Sequence, residues 1–243
     1  NLSKSMNNQN EFKKYSIKHL GINGTLLDDY SKFQDKRYQL KNKLYQPNKN
    51  LTPMIVEERE LNITVISVFD RLMKDRIIWL FGPIDDGVAT VIQAQLMFLD
   101  SVDKKQDITL HLDTPGGTCK GGLSIIDVME YIHSDVMTVN TGWAASMGAV
   151  LLSAGTKGKR LSLAHSRTMI HQSGGGYEGN ILDAEKDWNE WNKTNEELFV
   201  LLGRYCNKPA KQIKKDAERD KWMSAKETIE YGLIDDIVTK EKQ

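Results

Sequence analysis

A single serine stands among small residues near the middle of the chain, in the stretch Gly142-Trp143-Ala144-Ala145-Ser146-Met147-Gly148-Ala149. Because glycine and alanine carry little or no side chain, nothing bulky shields the Ser146 hydroxyl, and other backbone can approach it closely. The charge-free segment 136–156 around it is predicted to be a buried strand followed by a helix rather than a membrane span. Taken alone, the stretch fits a nucleophilic serine and also fits tight packing between a helix and a sheet.

A serine nucleophile needs a base that takes its proton. The apolar run Thr168-Met169-Ile170 ends in His171 and leads into Gln172-Ser173-Gly174-Gly175-Gly176, which predicts a buried strand that delivers an imidazole to a glycine-rich rim. The other histidines lie in the polar N-terminal segment or in and beside apolar segments, and we interpret them as structural: His19, His111, His133 and His165.

The same arrangement needs an acid that orients the base, and backbone donors that stabilise an oxyanion. Asp216 and Asp220 are two candidates for the acid, although both would also fit a solvated helix end. Upstream, the predicted strand 108–112 breaks at Asp113-Thr114-Pro115-Gly116-Gly117, which leaves backbone N–H groups pointing into open space. An ordinary strand-to-helix turn explains that motif equally well when it is taken alone.

Apolar periodicity alternates between strands and helices along the rest of the chain. Strands are predicted at residues 76–81, 108–112 and 136–140, and helices at residues 88–99 and 120–133. This alternation favours an α/β domain with a largely parallel sheet. From residue 179 to residue 205, apolar side chains fall mostly at steps of three and four, interrupted by Asn195, so one long helix is predicted. Its stripe, which includes Trp188, Trp191, Leu198 and Leu202, fits either a core or an interface.

Together these segments resemble the proteolytic subunit of the Clp protease family. Four motifs carry the resemblance in chain order, at residues 114–117, 142–149, 169–172 and 218–225, and the ending at residues 231–235 also fits. The step from Ser146 to His171 is 25 positions and that from His171 to Asp220 is 49, as in the family. This spacing selects Asp220 over Asp216. The resemblance extends from about residue 53 to residue 238.

The resemblance implies a role for each motif. Ser146 would attack the scissile carbonyl, His171 would act as general base and then general acid, and Asp220 would orient the imidazole. The backbone N–H groups of Gly117 and Met147 would form the oxyanion hole. Positions that would bind the peptide are Gly116, Thr118, Ser173, Gly174 and Gly175. Glu218 and Arg219 match a charged pair that links ring contact to alignment of the triad.

The resemblance also implies an architecture: the ββα superhelix shared by Clp and crotonase-type proteins, with a long protruding handle helix at about residues 179–205. On this basis residues 53–243 form a Clp-type serine peptidase domain. Residues 1–52 are rich in Asn, Lys, Gln and Asp, and we expect them to be a mobile N-terminal extension.

Composition excludes several other classes. Lys+Arg and Asp+Glu balance at 33 each, so no global field indicates binding to nucleic acid or an anionic membrane. The two cysteines, Cys119 and Cys206, are too few for a disulfide framework and suit a reducing cytoplasm. No Walker A pattern, HExxH or paired CxxC is present, so neither a metal nor another cofactor is implied.

The resemblance therefore implies a serine endopeptidase that hydrolyses polypeptides inside stacked heptameric rings of identical subunits. ATP dependence would come from a separate AAA+ ATPase of the Clp type. Thr109 and His111 stand where the family's docking cleft for that ATPase is normally aromatic, so we expect altered docking, with histidine charge appearing below about pH 6.5. These departures leave open a specialised or weakly active subunit with a mainly structural role. A crotonase-type acyl-CoA enzyme is a further alternative, but it would not need the three residues at this spacing.

Overall fold

The computed structural model describes residues 54–59, 62–175 and 181–239, together with Lys18. The rest of the predicted N-terminal extension lies outside the described residues, as do residues 53, 60, 61, 176–180 and 240–243. The chain divides into two compact units between Val68 and Phe69. In the first unit, strands β1 (Met54–Arg59) and β2 (Asn62–Ser67) pair antiparallel, with Met54 opposite Ser67.

From Val68 onward, helices and strands alternate as the sequence predicts. The elements are α1 (Val68–Lys74), β3 (Ile77–Phe81), α2 (Asp86–Val102), β4 (Ile108–Thr114), α3 (Cys119–Tyr131), β5 (Val136–Ala145), α4 (Met147–Ser153), β6 (Arg160–Leu163), β7 (Arg167–Ile170), α5 (Ile181–Cys206), α6 (Ala210–Asp216), β8 (Lys221–Ser224), α7 (Ala225–Tyr231) and β9 (Asp236–Val238). Among the described residues, no helix is both long enough and apolar enough to cross a bilayer.

Six of these strands form the parallel part of one sheet. Strands β3, β4, β5, β6 and β9 lie side by side in that order, and β7 pairs in parallel with the later part of β5. Strand β8 pairs antiparallel with β7. The predicted α/β fold with a largely parallel sheet is confirmed. The carboxyl ends of β4, β5 and β7 therefore meet, and they carry the glycine-rich turn, the serine and the histidine.

Buried and partly exposed side chains alternate along β4, which shows that one face of the strand enters the core. Ile108, Leu110 and Leu112 are fully buried, whereas Thr109 and His111 are partly exposed on the other face. Residues two apart share a face of a strand, so the apolar set enters the core together. Helix α2 covers that core with Ala89, Ile92, Leu96 and Leu99.

Several predicted boundaries differ from the structure by a few residues, and those of β5 and α5 bear on the site. Strand β5 is predicted to end at Asn140 but continues to Ala145, because its later residues pair with β7, where Trp143 lies opposite Arg167. Periodicity does not reveal this extension, since the added residues are small or lie in the glycine-rich stretch. Helix α5 ends at Cys206, one residue past the predicted end, and its predicted start at residue 179 lies outside the described residues.

A buried ion pair fixes the end of α5 to the sheet. The Arg160 guanidinium is bidentate to Asp235, with Nε–Oδ2 at 2.9 Å and a terminal nitrogen 2.6 Å from Oδ1, and it also donates to the Tyr205 carbonyl at 3.0 Å. Burial alone would raise the pKa of Asp235, but hydrogen bonds from Arg160 outweigh it and lower that pKa to about 2. The pair therefore holds the last turn of α5 beside β6.

Candidate active site

Ser146 lies at the sharp junction between β5 and α4. Its backbone has φ 56° and ψ −122°, a conformation that costs a non-glycine residue of order 1–3 kcal/mol. The junction is fixed because the Ser146 N–H donates to the Met169 carbonyl at 2.9 Å and its carbonyl accepts from the Ala149 N–H at 3.0 Å. A Cβ on Gly116 would come within 2.6 Å of the Ser146 Cβ. The small residues therefore permit close backbone approach, as the sequence predicts, with Gly116 supporting the serine.

In the structure the side chains of Ser146, His171 and Asp220 lie next to one another in that order. His171 follows β7 directly, and its Nε2 lies 2.8 Å from the Ser146 Oγ. The other ring nitrogen, Nδ1, lies 3.3 Å from Asp220 Oδ1. The Asp220 side chain is 62% exposed, so this end of the line faces solvent, whereas the His171 side chain is 29% exposed.

Asp216, the other acidic candidate, is engaged elsewhere. Its carboxylate accepts a hydrogen bond from the Tyr231 hydroxyl at 2.8 Å and lies 3.9 Å from the Lys221 ammonium. Burial and the neighbouring Asp216 carboxylate raise the pKa of Tyr231, which stays a neutral donor. The geometry thus agrees with the family spacing in pairing Asp220 with the histidine.

Two backbone donors near the serine remain available. The Ile84 N–H donates to the Gly116 carbonyl and the Thr118 N–H donates to the Ile84 carbonyl, both at 2.8 Å, so the backbone is fixed on either side of Gly117. A Cβ on Gly117 would come within 2.1 Å of the Ile84 oxygen, so this close approach requires glycine. Within the described part of the chain, the N–H groups of Gly117 and Met147 make no hydrogen bond. Both can therefore serve an oxygen held beside Ser146 Oγ.

A cavity of about 290 Å³ opens beside Ser146 and His171. Its walls are mostly apolar and come mainly from three elements, α4, β7 and α5, with the side chains of Met147, Val150, Met169, Ile170, Leu198, Phe199 and Leu202. Leu198 and Leu202 belong to the predicted apolar stripe of the long helix, but the sequence does not indicate that they line the site. Only the fold reveals that this stripe packs against the serine, because the sequence separation exceeds fifty positions.

A second cavity of about 780 Å³ lies between the start of α3 and α5. It is lined by four of the five residues predicted to bind peptide, namely Thr118, Ser173, Gly174 and Gly175. The fifth, Gly116, is buried against residues 145–147 and lines neither cavity, because it supports the Ser146 junction. Cys119 lines both cavities and is partly buried, and burial raises the pKa of its thiol.

The predicted charged pair lies next to Asp220. Glu218 and Arg219 are both exposed, and the Glu218 carbonyl accepts from the Gln172 side-chain amide at 3.4 Å. Nearby, Trp143 and Trp222 meet edge to face with ring centroids 5.1 Å apart. This contact, which has no signature in the sequence, connects β5 to β8.

A serine, a histidine and a carboxylate in this order of contact define the class of serine hydrolases. A family model described as Clp protease matches residues 58–241. The ATP-dependent Clp protease proteolytic subunit of Porphyromonas gingivalis is 47% identical over 234 residues, which cover 96% of this chain and 100% of that protein. The protein of the same name from Bacteroides thetaiotaomicron is 46% identical over 230 residues, or 95% and 99% of the two chains. The chain belongs to the Clp protease family.

This membership settles the class of reaction. The chain is a serine endopeptidase and a proteolytic subunit of the Clp type. Relatives that carry the name of the proteolytic subunit match over nearly their whole length, which does not favour a mainly structural subunit. The family assignment also decides against the crotonase-type alternative.

Proposed function

We propose that Ser146, His171 and Asp220 are the catalytic triad with which this subunit hydrolyses peptide bonds. The observation that carries the proposal is the 2.8 Å contact between His171 Nε2 and Ser146 Oγ. At this distance the imidazole can take the hydroxyl proton as the oxygen attacks. The Asp220 carboxylate, 3.3 Å from Nδ1, favours the tautomer that leaves Nε2 free to accept and stabilises the imidazolium that forms.

In the first half of the reaction, Ser146 Oγ bonds to the scissile carbonyl carbon while its proton passes to His171 Nε2. The carbonyl π electrons move to the oxygen, where the N–H groups of Gly117 and Met147 donate to the developing negative charge. Collapse of this intermediate breaks the C–N bond, and His171 gives its proton to the leaving amine. The product is an acyl ester on Ser146.

In the second half, a water molecule replaces the amine. His171 takes one proton from the water, the resulting oxygen attacks the ester carbon, and the same backbone donors hold the oxyanion. The Ser146 oxygen then leaves and recovers a proton from His171, so the enzyme is regenerated and a carboxylic acid is released.

The two cavities suggest how a polypeptide is held. The apolar cavity beside Ser146 fits a single apolar side chain on the acyl side of the scissile bond, where Leu198, Phe199 and Leu202 contact it. Thr118, Ser173, Gly174 and Gly175 line the adjoining cavity, where the chain would continue. Gly116 acts through the serine junction rather than by touching the peptide.

Trapping of the acyl ester tests this mechanism. Mixing the full chain with an activated ester of a short apolar peptide should release a burst of alcohol close to one equivalent per chain, since acylation is faster than deacylation for such substrates. Rapid quenching and intact-mass measurement should show the acyl group on the peptide that contains Ser146. Steady release without a burst, and no acylated chain, would contradict covalent catalysis.

We also propose that the subunit works in stacked heptameric rings, fed by a separate AAA+ ATPase of the Clp type. Two observations support the separate ATPase: relatives carry the name ATP-dependent, whereas this sequence contains no Walker A pattern of its own. The family match over residues 58–241 supports residues 53–243 as the peptidase domain, preceded by the extension 1–52. The free thiols of Cys119 and Cys206 fit the cytoplasm.

Helix α5 presents the surface that fits contact between rings. The Trp188 side chain is 62% exposed and sits on a helix of 26 residues. Trp188→Ala is therefore expected to shift the purified protein from about fourteen subunits toward single rings, with a parallel loss of peptidase activity. Mass photometry at micromolar concentration measures this distribution. Val200→Ala, at another exposed apolar position of the same helix, is the control, and monomers only in the wild type would contradict the assembly.

The outer face of β3 and β4 fits the docking cleft for an apolar loop of the ATPase. Trp79 and Phe81 are exposed on this face, and the Trp79 ring stacks on His111 with centroids 4.8 Å apart. The His111 Nδ1 is buried without a hydrogen-bond partner among the described residues. The sequence predicts that the charge of His111 appears below about pH 6.5, the ordinary histidine value, but burial lowers the pKa of His111, so the unshifted value does not apply. His111 therefore remains neutral at pH 6.5 and somewhat below it, and protonation weakens docking only at a still lower pH.

His111→Tyr should tighten binding of a Clp-type ATPase by roughly tenfold, because it replaces a desolvated, unpaired nitrogen with apolar ring area and a hydroxyl at the rim. Binding is measured by interferometry at pH 7.5 and at a descending series of pH values below 6.5. The wild type should lose affinity as the pH falls and the variant should lose less. His165→Tyr, at an exposed position, is the control. Equal or weaker binding by His111→Tyr would contradict this cleft and leave the peptidase assignment intact.

A further inference from the structure

Asn195 connects the long helix α5 to the segment that follows the catalytic histidine. The backbone N–H of Ser173 donates to Asn195 Oδ1 at 3.0 Å, and the Ser173 hydroxyl donates to the same oxygen at 2.9 Å. Because a backbone N–H can only donate, the atom of Asn195 that faces it is the amide oxygen. Asn195 also lines both cavities, so this contact lies where they adjoin.

A second contact, one turn earlier on the same helix, holds the same segment. A Cβ on Gly175 would come within 2.4 Å of Trp191 Cη2, so the Gly175 backbone packs directly on the indole ring. Trp191 and Asn195 are four residues apart and share a face of α5, a rise of about 6 Å. Ser173 and Gly175 are two residues apart, about 6.6 Å in extended chain. The two spacings match, so residues 173–175 run antiparallel to the helix along one ledge formed by Trp191 and Asn195.

The position of the His171 side chain does not depend on contacts with Trp191 and Asn195. Its neighbour Gln172 donates its backbone N–H to the Ala217 carbonyl at 2.7 Å, and the His171 ring is held by Ser146 and Asp220. The Asn195 contact begins one residue beyond that anchor. It therefore fixes the rim that faces the larger cavity rather than the reacting groups.

We propose that Asn195 is a positioning residue for peptide binding: by accepting both hydrogen bonds of Ser173, it holds residues 173–175 as a fixed edge for an extended polypeptide. This inference rests on the function proposed above and deepens it. An extended substrate that pairs with a backbone edge gains more affinity when that edge is already ordered, because ordering it on binding costs conformational entropy. The glycines at 174 and 175 cannot supply that order by themselves.

Peptide binding and bond cleavage can be measured separately with two substrates. A fluorogenic hexapeptide with an apolar residue at the cleaved bond needs the edge, whereas a small activated acyl ester needs only Ser146, His171 and the oxyanion donors. For the full chain in its assembled state, Asn195→Ala should lower kcat/KM for the hexapeptide by roughly tenfold, the order expected for losing one or two net hydrogen bonds. The loss should lie in KM, with a much smaller loss for the ester.

Two further variants test the chemistry of the contact. Asn195→Asp keeps an oxygen that accepts from Ser173, so it should recover most of the hexapeptide activity. Ser173→Ala removes one donor and keeps the N–H, so its effect should be smaller than that of Asn195→Ala, and the double variant should equal Asn195→Ala. Asn189→Ala, at an exposed asparagine of the same helix, is the matched control.

The outcomes are distinct. Equal loss for ester and hexapeptide, failure of Asn195→Asp to recover KM, or additive effects in the double variant would each overturn the positioning role. An unchanged KM in Asn195→Ala would overturn it as well. Should Asn195→Ala fail to assemble, Asn195→Asp and Ser173→Ala still decide the question. A wild-type protein that turns over neither substrate would instead contradict the proposed triad.

Discussion

Replacing Ser146 by alanine is expected to lower kcat/KM for a short fluorogenic peptide by about a millionfold, the order found when the nucleophile of a serine protease is removed. In the proposed mechanism, the Ser146 Oγ that lies 2.8 Å from His171 Nε2 is the atom that forms the acyl ester. His171→Ala should cause a loss of the same order, and the double variant should be no worse, because the triad acts as a unit.

Assembly must be shown to survive in these variants. The Ser146 side chain makes no hydrogen bond within the described residues other than that to His171, and alanine keeps the small volume that the Gly116 contact demands. Mass photometry and thermal unfolding should therefore match the wild type. Ser101→Ala, at an exposed serine of α2, serves as the matched control and should retain full activity. Substantial peptidase activity in Ser146→Ala would rule out this serine as the nucleophile.

The second large effect concerns Asp220. Asp220→Asn should lower kcat for the same peptide by about a thousandfold, because an amide in this position favours the wrong imidazole tautomer and does not stabilise the imidazolium. We expect less than the roughly 10⁴-fold loss known for a buried triad aspartate. The reason is that this carboxylate is 62% exposed, so solvent already screens its field at His171.

Asp216→Asn provides the matched comparison, since both aspartates lie in the same charged run. Asp216 accepts from Tyr231 and does not contact the histidine, so its amide variant should keep kcat while its thermal stability falls slightly. Steady-state kinetics with both variants at neutral pH decide between the two residues. A larger kcat loss in Asp216→Asn than in Asp220→Asn would overturn the assignment.

Ser146 and His171 could be predicted from the residues that surround them in the sequence, and the reason is physical. Close backbone approach around a nucleophile demands small residues, and the contact between Gly116 and Ser146 is such an approach. A buried strand followed by a histidine and then by glycines can also be recognised in the sequence. Strand β7 ends at Ile170, directly before His171. The acidic residue of the site has no such local signature, because the sequence does not distinguish one aspartate from another in a segment of mixed charge. Spacing in the family was needed to choose Asp220.

Other parts of the site could not be predicted from local pattern. Leu198, Phe199 and Leu202 form a wall beside Ser146 only because α5 packs against α4, a long-range contact with no local signature. Asn195 did appear in the sequence as a polar break in an apolar stripe. Its partner, Ser173, could not be inferred, since helical periodicity says which face a residue occupies but not which distant backbone group it meets.

Labelling with a fluorophosphonate tests the central claim most directly, because such reagents acquire a covalent bond only to a serine whose hydroxyl is activated by a neighbouring base. Intact-mass measurement of the full chain should show one added phosphonyl group, and peptide mapping should place it on Ser146. Labelling should be lost in Ser146→Ala and strongly slowed in His171→Ala, with Ser101→Ala unchanged. A wild-type chain that stays unlabelled, or that carries the group on another serine, would contradict the account.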